Sequence, residues 1–487
     1  MPKQEQFVKE ITDMNVDFAR WYTDVILKTE LVDYGPVKGT MIIRPYAYEI
    51  WENIQAELNA RFKKTGHKNA YFPMFIPYSF LVKETEHVEG FAPEVALVTH
   101  VGDTELPEKL VVRPTSETII CDSYSKWVKS WRDLPILINQ WANVVRWEKT
   151  TRPFLRTSEF LWQEGHTVHE TPEEAQEETL KMLEVYREFA ENVLAIPVLV
   201  GRKSEKEKFA GAQATYGMEA MMLDGKSLQA GTSHYFGDNF SKAFNIKYSS
   251  KEGDLKYVYQ TSWGTSTRMI GALIMAHGDN RGLALPPKVA PIQAIIIPIA
   301  VHKGGVNEKA DEIKAALEEA GVRVEIDKRE QSTGWKFNEW EMKGVPVRIE
   351  VGPRDLENGV VTVARRDDLA NKATIKLEDL ATAIPALLAD IQKNMLEKAR
   401  TFRDAHIVVC EDMEGLTEAV NSGNFVKAMW CGDRACEDKV KELTGASTRV
   451  MPFDQTPVGS KCVCCGKNLL KEDGSTDGKV IYFAKAY

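Results

Sequence analysis

Apolar residues recur at helical spacing between about residues 46 and 64, which predicts an amphipathic helix with one buried face. The residues on that face are Ala47, Ile50, Ile54, Leu58 and Phe62. The helical pattern ends at Thr65-Gly66, and residues 69–77 then predict a short strand that two prolines interrupt. A helix followed by a strand is therefore the first predicted unit.

Between residues 110 and 275 the apolar positions alternate over short segments separated by turns, and an acidic helix at residues 172–194 interrupts them. This pattern is typical of an antiparallel sheet with helices packed on it. Residues 285–291 (Leu-Pro-Pro-Lys-Val-Ala-Pro) form a stiff segment, because proline fits neither a helix interior nor a central strand. We therefore predict a domain boundary there.

Beyond that boundary, predicted strands alternate with a helix that carries Ala310, Ile313, Leu317 and Ala320 on one face. The predicted strands are residues 292–299, 322–326, 347–351 and 360–363. The fold class that we predict has three parts. They are an α+β domain with an antiparallel sheet flanked by helices at residues 1–288, an α/β domain at 289–398, and a small α/β domain at 399–487.

Composition and charge argue against a membrane protein and against a protein that coats nucleic acid. The chain has 487 residues, 43% hydrophobic and 27% charged, and no apolar run reaches the roughly eighteen residues that a membrane span needs. The net charge of −9 argues against a generally basic surface, so a polynucleotide partner would be bound by local patches. Residues 1–22 lack a basic stretch followed by an apolar block, so we expect no secretory signal and a cytoplasmic location.

The residues that best indicate chemistry lie between 145 and 166, where two period-2 segments flank a polar turn. The pattern places Arg146 and Glu148 on one sheet face, and Phe160, Trp162 and Glu164 on one face of the return strand. Arginine suits phosphate, a carboxylate can accept from an exocyclic amine, and an aromatic ring can stack on a purine. The hairpin therefore indicates an ATP site, although a solvated charged surface has the same composition.

Two further segments favour the binding interpretation. Residues 262–283 join a glycine turn to an apolar helix with Arg268 near its start, where backbone N–H groups and a guanidinium can hold phosphate. Residues 113–117 form a compact polar turn, with Thr115 and Glu117, that could hold a small zwitterion or could simply cap a helix.

These segments resemble the signature motifs of class II aminoacyl-tRNA synthetases. The first predicted helix with Gly66 and Pro73 resembles motif 1, residues 146–164 resemble motif 2, and residues 262–282 resemble motif 3. Residues 115–117, 162–166 and 231–234 resemble, more specifically, the prolyl enzymes of archaeal or eukaryotic type. The resemblance extends over essentially the whole chain.

The resemblance implies that L-proline is activated with MgATP to prolyl-adenylate and then transferred to the 3′-terminal adenosine of tRNA(Pro). It implies Arg146 at the α-phosphate and the proline carboxylate, and Phe160 and Arg268 on the two faces of adenine. The implied ATP-binding residues are Arg146, Glu148, Arg156, Phe160, Gln229, Thr232 and Arg268, with Arg146 and Arg268 as the catalytic residues. The implied proline-binding residues are Thr115, Glu117, Arg146, Trp162, Glu164, His166, Phe209, His234, Ser262 and Gly264.

Six of the seven cysteines lie between Cys410 and Cys465, which in a chain without an export signal favours metal over disulfides. Two pairs separated by about twenty-five residues suit a closed tetrahedral zinc site, although reduced buried thiols are the alternative. The family spacing assigns Cys431, Cys436, Cys462 and Cys465 as ligands, with Cys464 as a possible substitute. Cys410 is interpreted as a core strand residue.

Four further features concern a histidine pair, the predicted anticodon contacts, the oligomeric state and the C-terminus. His166 and His169 imitate a metal motif, but their spacing directs the two rings apart on a strand. The α/β domain resembles an anticodon-binding domain, with anticodon contacts predicted at Glu339, Glu341, Lys343 and Arg348, although such charges are also typical of a solvated helix face. The family further implies a homodimer through motif 1 and a C-terminal Ala486-Tyr487 that folds back toward the active site.

Fewer than about a hundred residues separate Glu164 from Ser262, which leaves no room for the editing domain that bacterial-type prolyl enzymes insert there. Since a proline pocket excludes smaller amino acids poorly, we expect some activation of alanine and cysteine. The alternatives are a threonyl or seryl enzyme, or a synthetase-like paralogue that binds tRNA or a regulatory partner without catalysis. The presence of Arg146 and Arg268 argues against the paralogue.

Overall fold

The computed structural model of the chain describes residues 11–87 and 95–487, without the side chains of residues 83–87. We divide it into an N-terminal, a middle and a C-terminal region. The helices of the N-terminal region are α1 (Phe18–Lys28), α2 (Pro45–Lys64), α3 (Tyr78–His87), α4 (Glu117–Trp127), α5 (Pro172–Asn192), α6 (Asn239–Ala243) and α7 (Arg268–His277). Its strands are β1 (Val32–Tyr34), β2 (Met41–Ile43), β3 (Lys68–Asn69), β4 (Phe75–Pro77), β5 (Leu97–Val101), β6 (Thr104–Val112), β7 (Ile136–Val145), β8 (Glu159–His169), β9 (Val198–Arg202), β10 (Ala214–Met221), β11 (Ser227–Gly237), β12 (Lys247–Ser249), β13 (Leu255–Tyr257) and β14 (Tyr259–Ser266).

The other two regions each combine a sheet with helices. The middle region comprises β15 (Ala294–Pro298), α8 (Val306–Glu319), β16 (Val324–Ile326), α9 (Thr333–Met342), β17 (Val347–Val351), α10 (Pro353–Glu357), β18 (Val360–Arg365), β19 (Asp368–Lys376) and α11 (Leu380–Ala405). The C-terminal region comprises β20 (Ile407–Val409), α12 (Met413–Asn421), β21 (Phe425–Trp430), α13 (Arg434–Thr444), β22 (Ser447–Thr448), β23 (Met451–Pro452) and β24 (Lys479–Ala484). Short 3₁₀ turns occupy Trp131–Asp133 and Leu377–Asp379.

The N-terminal region is built on an eight-stranded sheet with the strand order β23-β9-β10-β11-β14-β8-β7-β3. Neighbouring strands are antiparallel except for the short parallel pair of β3 with β7. Helices α2, α5 and α7 pack on it, and Trp263 on β14 contacts Phe62 and Tyr186 from α2 and α5. This arrangement confirms the predicted α+β domain.

Helix α2 confirms the helix predicted from the apolar pattern. It begins with Pro45 at a position where the missing N–H costs nothing, and all five predicted face residues are buried. The strand predicted at residues 69–77 is wrong as a single element, because Pro73 lies between two short strands in different sheets. Strand β3 joins β7, whereas β4 joins β6.

The middle region has a sheet with the order β16-β15-β17-β18-β19, in which β16, β15 and β17 are parallel and the hairpin β18–β19 is antiparallel. Helices α8 and α11 bury apolar residues against it. The second predicted domain boundary, at 398/399, falls inside α11, which runs continuously from the middle region toward β20.

The C-terminal region has its own sheet, β20-β21-β24-β22, and also contributes β23 to the edge of the large sheet. Met451 and Pro452 pair there with Arg202 and Gly201 of β9. A Cβ atom at Gly201 would lie 2.0 Å from the carbonyl oxygen of Met451, so only glycine allows the two backbones to approach this closely. The C-terminal region is thus joined to the N-terminal region through backbone pairing.

Every helix in the described parts of the chain is too short or too polar to cross a lipid bilayer.

Candidate active site

A cavity of about 240 Å³ opens beside the large sheet, between β8, β10, β11, β14 and the first turns of α4 and α7. Most of the residues predicted from the sequence to bind ATP or proline line it. They are Thr115, Glu117, Arg146, Phe160, Trp162, Glu164, Phe209, Gln229, Thr232, His234, Ser262, Gly264 and Arg268. The structure therefore brings together side chains from residues 115 to 268 of the chain.

Three predicted residues do not line the cavity. His166 is buried beside it and bonded to Glu164. Glu148 and Arg156 are partly exposed and face each other, with the Arg156 Nη1 3.8 Å from a Glu148 carboxylate oxygen. The prediction that Arg146 and Glu148 lie on a strand is wrong, because β7 ends at Val145 and both residues belong to the connection to β8.

The strand register explains why these side chains meet. His166 on β8 lies opposite Ser262 on β14, which lies opposite His234 on β11, which lies opposite Thr215 on β10. A second row runs in the same way through Glu164, Gly264, Thr232 and Gly217. Cross-strand neighbours on one sheet face are in contact distance, so each row becomes a continuous surface.

Gly165 lies between Glu164 and His166 on β8, and the packing of Trp263 on the opposite face of the sheet requires a glycine there. A Cβ atom there would lie 2.1 Å from the indole ring of Trp263. The fully buried indole occupies the space that a side chain would need. A glycine at this position therefore lets Trp263 fill the core directly behind Glu164 and His166.

One end of the cavity is negatively charged. The buried Glu164 accepts hydrogen bonds from the Ser116 hydroxyl, from Gln140 Nε2 at 2.9 Å and from His166 Nε2 at 2.8 Å. Burial opposes ionisation, but His166, Ser116 and Gln140 outweigh it and hold the pKa of Glu164 below its usual range. Glu117, the first residue of α4, accepts a hydrogen bond from the Thr115 hydroxyl at the same end.

The remaining walls carry positive charge and aromatic rings. Arg146 donates from Nε to the carbonyl oxygen of Pro114 at 2.9 Å, and its guanidinium lies 5.3 Å from the centre of the Trp162 ring and 5.6 Å from that of Phe160. Arg268, the first residue of α7, donates from Nε to the carbonyl oxygen of Leu155 at 3.1 Å. Burial lowers the pKa of both arginines, but guanidinium groups stay protonated in proteins. The cavity therefore has carboxylates at one end and guanidinium groups facing them.

Two uncharged rings form a further part of the wall. The rings of Phe209 and His234 lie 4.7 Å apart, and His234 Nδ1 is 3.0 Å from the Thr215 hydroxyl. Burial, with the nearby charges of His166 and Lys203, lowers the pKa of His234 to about 3, so the imidazole is uncharged at neutral pH. The indole N–H of Trp162 is buried and has no hydrogen-bond partner within the described ranges.

Sequence reasoning missed several residues that line the cavity. They are Glu207, Thr215, Ala230, Gly231, Trp263, Thr265 and Ser266. Ser266 lies on the same face of β14 as Ser262 and Gly264, so the strand alternation could have assigned it, whereas alternation places Trp263 and Thr265 on the opposite face. Glu207 and Thr215 belong to no recognised motif. They reach the cavity because Thr215 lies on β10 and Glu207 lies in the connection from β9 to β10.

The four cysteines predicted as zinc ligands lie close together. The sulfur atoms of Cys431, Cys436, Cys462 and Cys465 all lie within 4.8 Å of one another, and those of Cys431 and Cys436 are 3.6 Å apart. Zn–S bonds of about 2.3 Å in a tetrahedron put sulfurs roughly 3.8 Å apart, so these four thiols could hold zinc. Cys464 is not part of this set, and Cys410 is buried directly after β20.

The four residues predicted to contact the anticodon form an ion-pair network on and after α9. Arg348 is buried and contacts Glu341 at 2.7 Å, and Lys343 contacts Glu339 at 3.3 Å. Lys343 also lies 3.6 Å from Glu30 of the N-terminal region. This network therefore joins the middle region to the N-terminal region.

The C-terminal residues pack against the start of β11, near the connection between β7 and β8. Tyr487 N–H donates to the carbonyl oxygen of Ser227 at 3.1 Å, and its hydroxyl donates to Asp224 at 2.6 Å. The guanidinium of Arg152, in that connection, lies 5.9 Å from the centre of the Tyr487 ring.

Three protein-family models match successive parts of the chain. The tRNA synthetase class II core domain (G, H, P, S and T) matches residues 100–277, the anticodon binding domain matches 293–387, and the C-terminal domain of prolyl-tRNA synthetase matches 413–487.

Curated relatives match over nearly their full length. A proline–tRNA ligase of Alkaliphilus oremlandii is 61% identical over 487 residues, which cover 100% of this chain and 99% of that protein. A proline–tRNA ligase of Ruminiclostridium cellulolyticum is 58% identical over 488 residues and 100% of both chains. Proline–tRNA ligase 2 of Bacillus cereus is 56% identical over 481 residues and 99% of both chains.

The antiparallel sheet, the charged cavity and the matching core domain place this chain among the class II aminoacyl-tRNA synthetases. Within that class it belongs to the proline–tRNA ligase family, as the resemblance of its motifs predicted. Residues 164–262 contain only strands and helices of the large sheet and its neighbours, so no separate domain is inserted between motifs 2 and 3.

The Glu164–His166 pair predicts a pH dependence of stability. Burial opposes charge on His166, but Glu164 and Glu117 outweigh it and raise its pKa above the ordinary 6.5. A raised histidine pKa stabilises the fold fully below 6.5, and this contribution is lost as the pH rises through the raised pKa. We expect His166→Gln to lower the free energy of unfolding by roughly 1–3 kcal/mol at pH 5.5, and by less at pH 9.

Urea denaturation between pH 5.5 and 9 measures this difference, with His100→Gln on exposed β5 as the control. A difference that stays constant or grows with pH contradicts a protonated, paired His166.

Proposed function

We propose that this chain joins L-proline to ATP, which forms prolyl-adenylate and pyrophosphate, and then transfers the prolyl group to the 3′-terminal adenosine of tRNA(Pro). The observation that carries the proposal is the charge separation in the cavity. Ionised Glu164 with Glu117 lies at one end, and the guanidinium groups of Arg146 and Arg268 face it. An amino-acid zwitterion and a polyphosphate bound side by side need that arrangement.

Proline fits the negatively charged end. Its secondary ammonium has two N–H donors for Glu117 and Glu164, and its carboxylate can then reach Arg146 and the unpaired indole N–H of Trp162. The ring lies against Phe209 and neutral His234, which supply an apolar wall without a competing charge. Thr115, Ser262 and Gly264 complete this subsite, and His166 holds Glu164 from outside the cavity.

ATP fits the remainder of the cavity as its magnesium complex. Phe160 offers a ring face for adenine, and Arg268, Gln229 and Thr232 line the same cavity, with Gln229 and Thr232 on β11. Glu148 and Arg156 stand at the rim, where they can contact the adenine amine and the phosphates.

The reaction requires no nucleophile from the protein. The bound proline carboxylate attacks the α-phosphorus, its oxygen forms the new P–O bond, and pyrophosphate leaves with the electrons of the broken bond. Arg146 contacts both reacting groups, so it offsets negative charge and aligns them at once. In the second step the ribose 3′-hydroxyl attacks the prolyl carbonyl, and AMP leaves.

The other regions have supporting roles in this proposal. The middle region binds the anticodon loop near α9, where Glu339, Glu341, Lys343 and Arg348 would exchange their mutual ion pairs for base contacts. Zinc on the four cysteines would close a structural site that holds α13 to the chain before β24. A cytoplasmic location remains part of the proposal.

We also propose that two copies associate through motif 1. Several apolar or aromatic side chains near α2 and β4 are exposed, namely Tyr48, Tyr71, Phe75, Tyr78 and Leu97. Exposed apolar and aromatic side chains of this kind are typical of a surface that a second subunit covers.

ATP–pyrophosphate exchange with each of the twenty amino acids tests the first step. We expect exchange to be dominated by proline, and Arg146→Ala to reduce it by at least about 100-fold, because one preorganised charge at the reacting centre is lost. Arg132→Ala, at an exposed surface arginine, is the control and should exchange as the wild type does. Absence of exchange from folded wild-type protein would point to a non-catalytic tRNA-binding paralogue.

Weak exchange with alanine and cysteine is also expected, because a smaller side chain leaves part of the proline subsite empty but meets no clash. Each missing methylene costs about 1–3 kcal/mol of discrimination, or roughly 10- to 200-fold in rate, so alanine, which lacks two ring methylenes, should exchange at least about 100-fold more slowly than proline. Complete absence of exchange with both amino acids contradicts this expectation.

Metal analysis tests the zinc site. We expect about one zinc per purified chain, and near zero in Cys431→Ser or Cys462→Ser, because a site that lacks one of four thiolates binds zinc far more weakly. Cys464→Ser and Cys410→Ser are the matched controls and should keep the metal. Zinc retained by the first two variants, or lost only with Cys464, contradicts the proposed ligand set.

A further inference from the structure

The connection between β9 and β10, residues 203–213, forms part of the cavity wall, and we call it the wall loop. Glu207 and Phe209 in this loop line the cavity. The Phe209 N–H donates to the Thr215 hydroxyl at 3.0 Å, and the Phe209 ring packs on His234. The wall loop therefore shapes the end of the cavity that is assigned to proline.

The first residue of the wall loop is fixed by a buried ion cluster. Lys203 donates to Glu219 on β10, and Arg449 of the C-terminal region donates to the same carboxylate from Nη2 at 3.1 Å and Nε at 3.2 Å. Burial opposes the charge on Glu219, but the two cations hold its pKa at about 2. Position 203 is thus anchored within the large sheet.

The next residue depends on a side chain from the C-terminal region. The Ser204 hydroxyl donates to Glu437 on α13 at 2.9 Å and accepts from the Glu207 N–H at 3.2 Å. The Thr448 hydroxyl donates to the same carboxylate oxygen, and all three side chains are buried. Glu437 is therefore joined through one hydroxyl to the backbone of a residue that lines the cavity.

A second contact between the same helix and the same loop provides a natural comparison. Lys206 lies 2.5 Å from Asp438, the residue after Glu437, but half of the Asp438 side chain is exposed. Solvent screens such a pair, so it contributes little. When the buried contact between Ser204 and Glu437 is lost, solvent water does not replace the missing hydrogen bond, so its loss costs more.

We propose that Glu437 is a positioning residue for the proline subsite: through Ser204 it holds the wall loop against the cavity, although it touches neither substrate. The proposal rests on the assignment of this end of the cavity to proline. Without the anchor, the loop has more conformations to lose when proline binds, which weakens proline binding. The residues assigned to ATP lie on β8, β11, α7 and the connection between β7 and β8, outside the wall loop, so ATP binding should be affected much less.

Glu437→Ala tests this in ATP–pyrophosphate exchange, with the KM for proline and the KM for ATP measured separately. We expect the proline KM to rise on the order of tenfold, because the variant loses the buried hydrogen bond from Ser204 to a carboxylate, which supports the proline subsite. The ATP KM should stay within about twofold. Asp438→Ala is the matched control and should change neither constant. Glu437→Gln keeps an oxygen that can accept both hydroxyl bonds, so it should restore the proline KM to within about threefold.

Equal rises in both KM values, or an unchanged proline KM in folded Glu437→Ala, would overturn the proposal. Thermal unfolding and zinc content establish that the variant is folded. If Glu437→Ala does not fold, Ser204→Ala removes the same bond from the loop side, and the same two KM values decide. Wild-type protein without proline-dependent exchange would instead refute the proposed function, so the two failures are distinguishable.

Discussion

Ionised side chains within a β-sheet must each have hydrogen-bond partners, and the organisation of this chain follows from that requirement. An unpaired carboxylate in the interior costs several kcal/mol. Glu164 meets the requirement with donors from α4, β7 and β8. A shift of one residue in the register of β8 would turn Glu164 toward Trp263 and the apolar core, so the site and the register of the sheet stabilise each other.

The same requirement explains why the C-terminal region is closely joined to the catalytic sheet. Glu219 is completely buried on β10, and one of its cationic partners, Arg449, comes from the C-terminal region. Strand β23 covers the edge of β9 directly beside this cluster. The cysteine set lies at the start of α13, whose Glu437 contacts the wall loop. The cysteine cluster, the contact between the C-terminal region and the large sheet, and the cavity wall therefore lie next to one another.

The sequence predicted the elements that have a strong apolar period or a specific motif. Helix α2 and most of the cavity residues belong to this group, because local pattern and side-chain chemistry point the same way. Helix α11 was missed although Leu380, Ile384 and Leu388 recur at helical spacing. The contacts of Glu219 with Arg449 could not be predicted, because 230 residues separate the partners and no local pattern records the pairing.

Calorimetric titration with L-proline and with tetrahydrofuran-2-carboxylate most directly tests the proposal that Glu117 and Glu164 bind the proline ammonium. The two ligands have nearly the same shape, but a ring oxygen replaces the ammonium in the second. We predict that proline binds and that the oxygen analogue binds at least about 100-fold more weakly, because it leaves buried carboxylates without a donor. Equal affinity for the two ligands would contradict a site built around that ion pair.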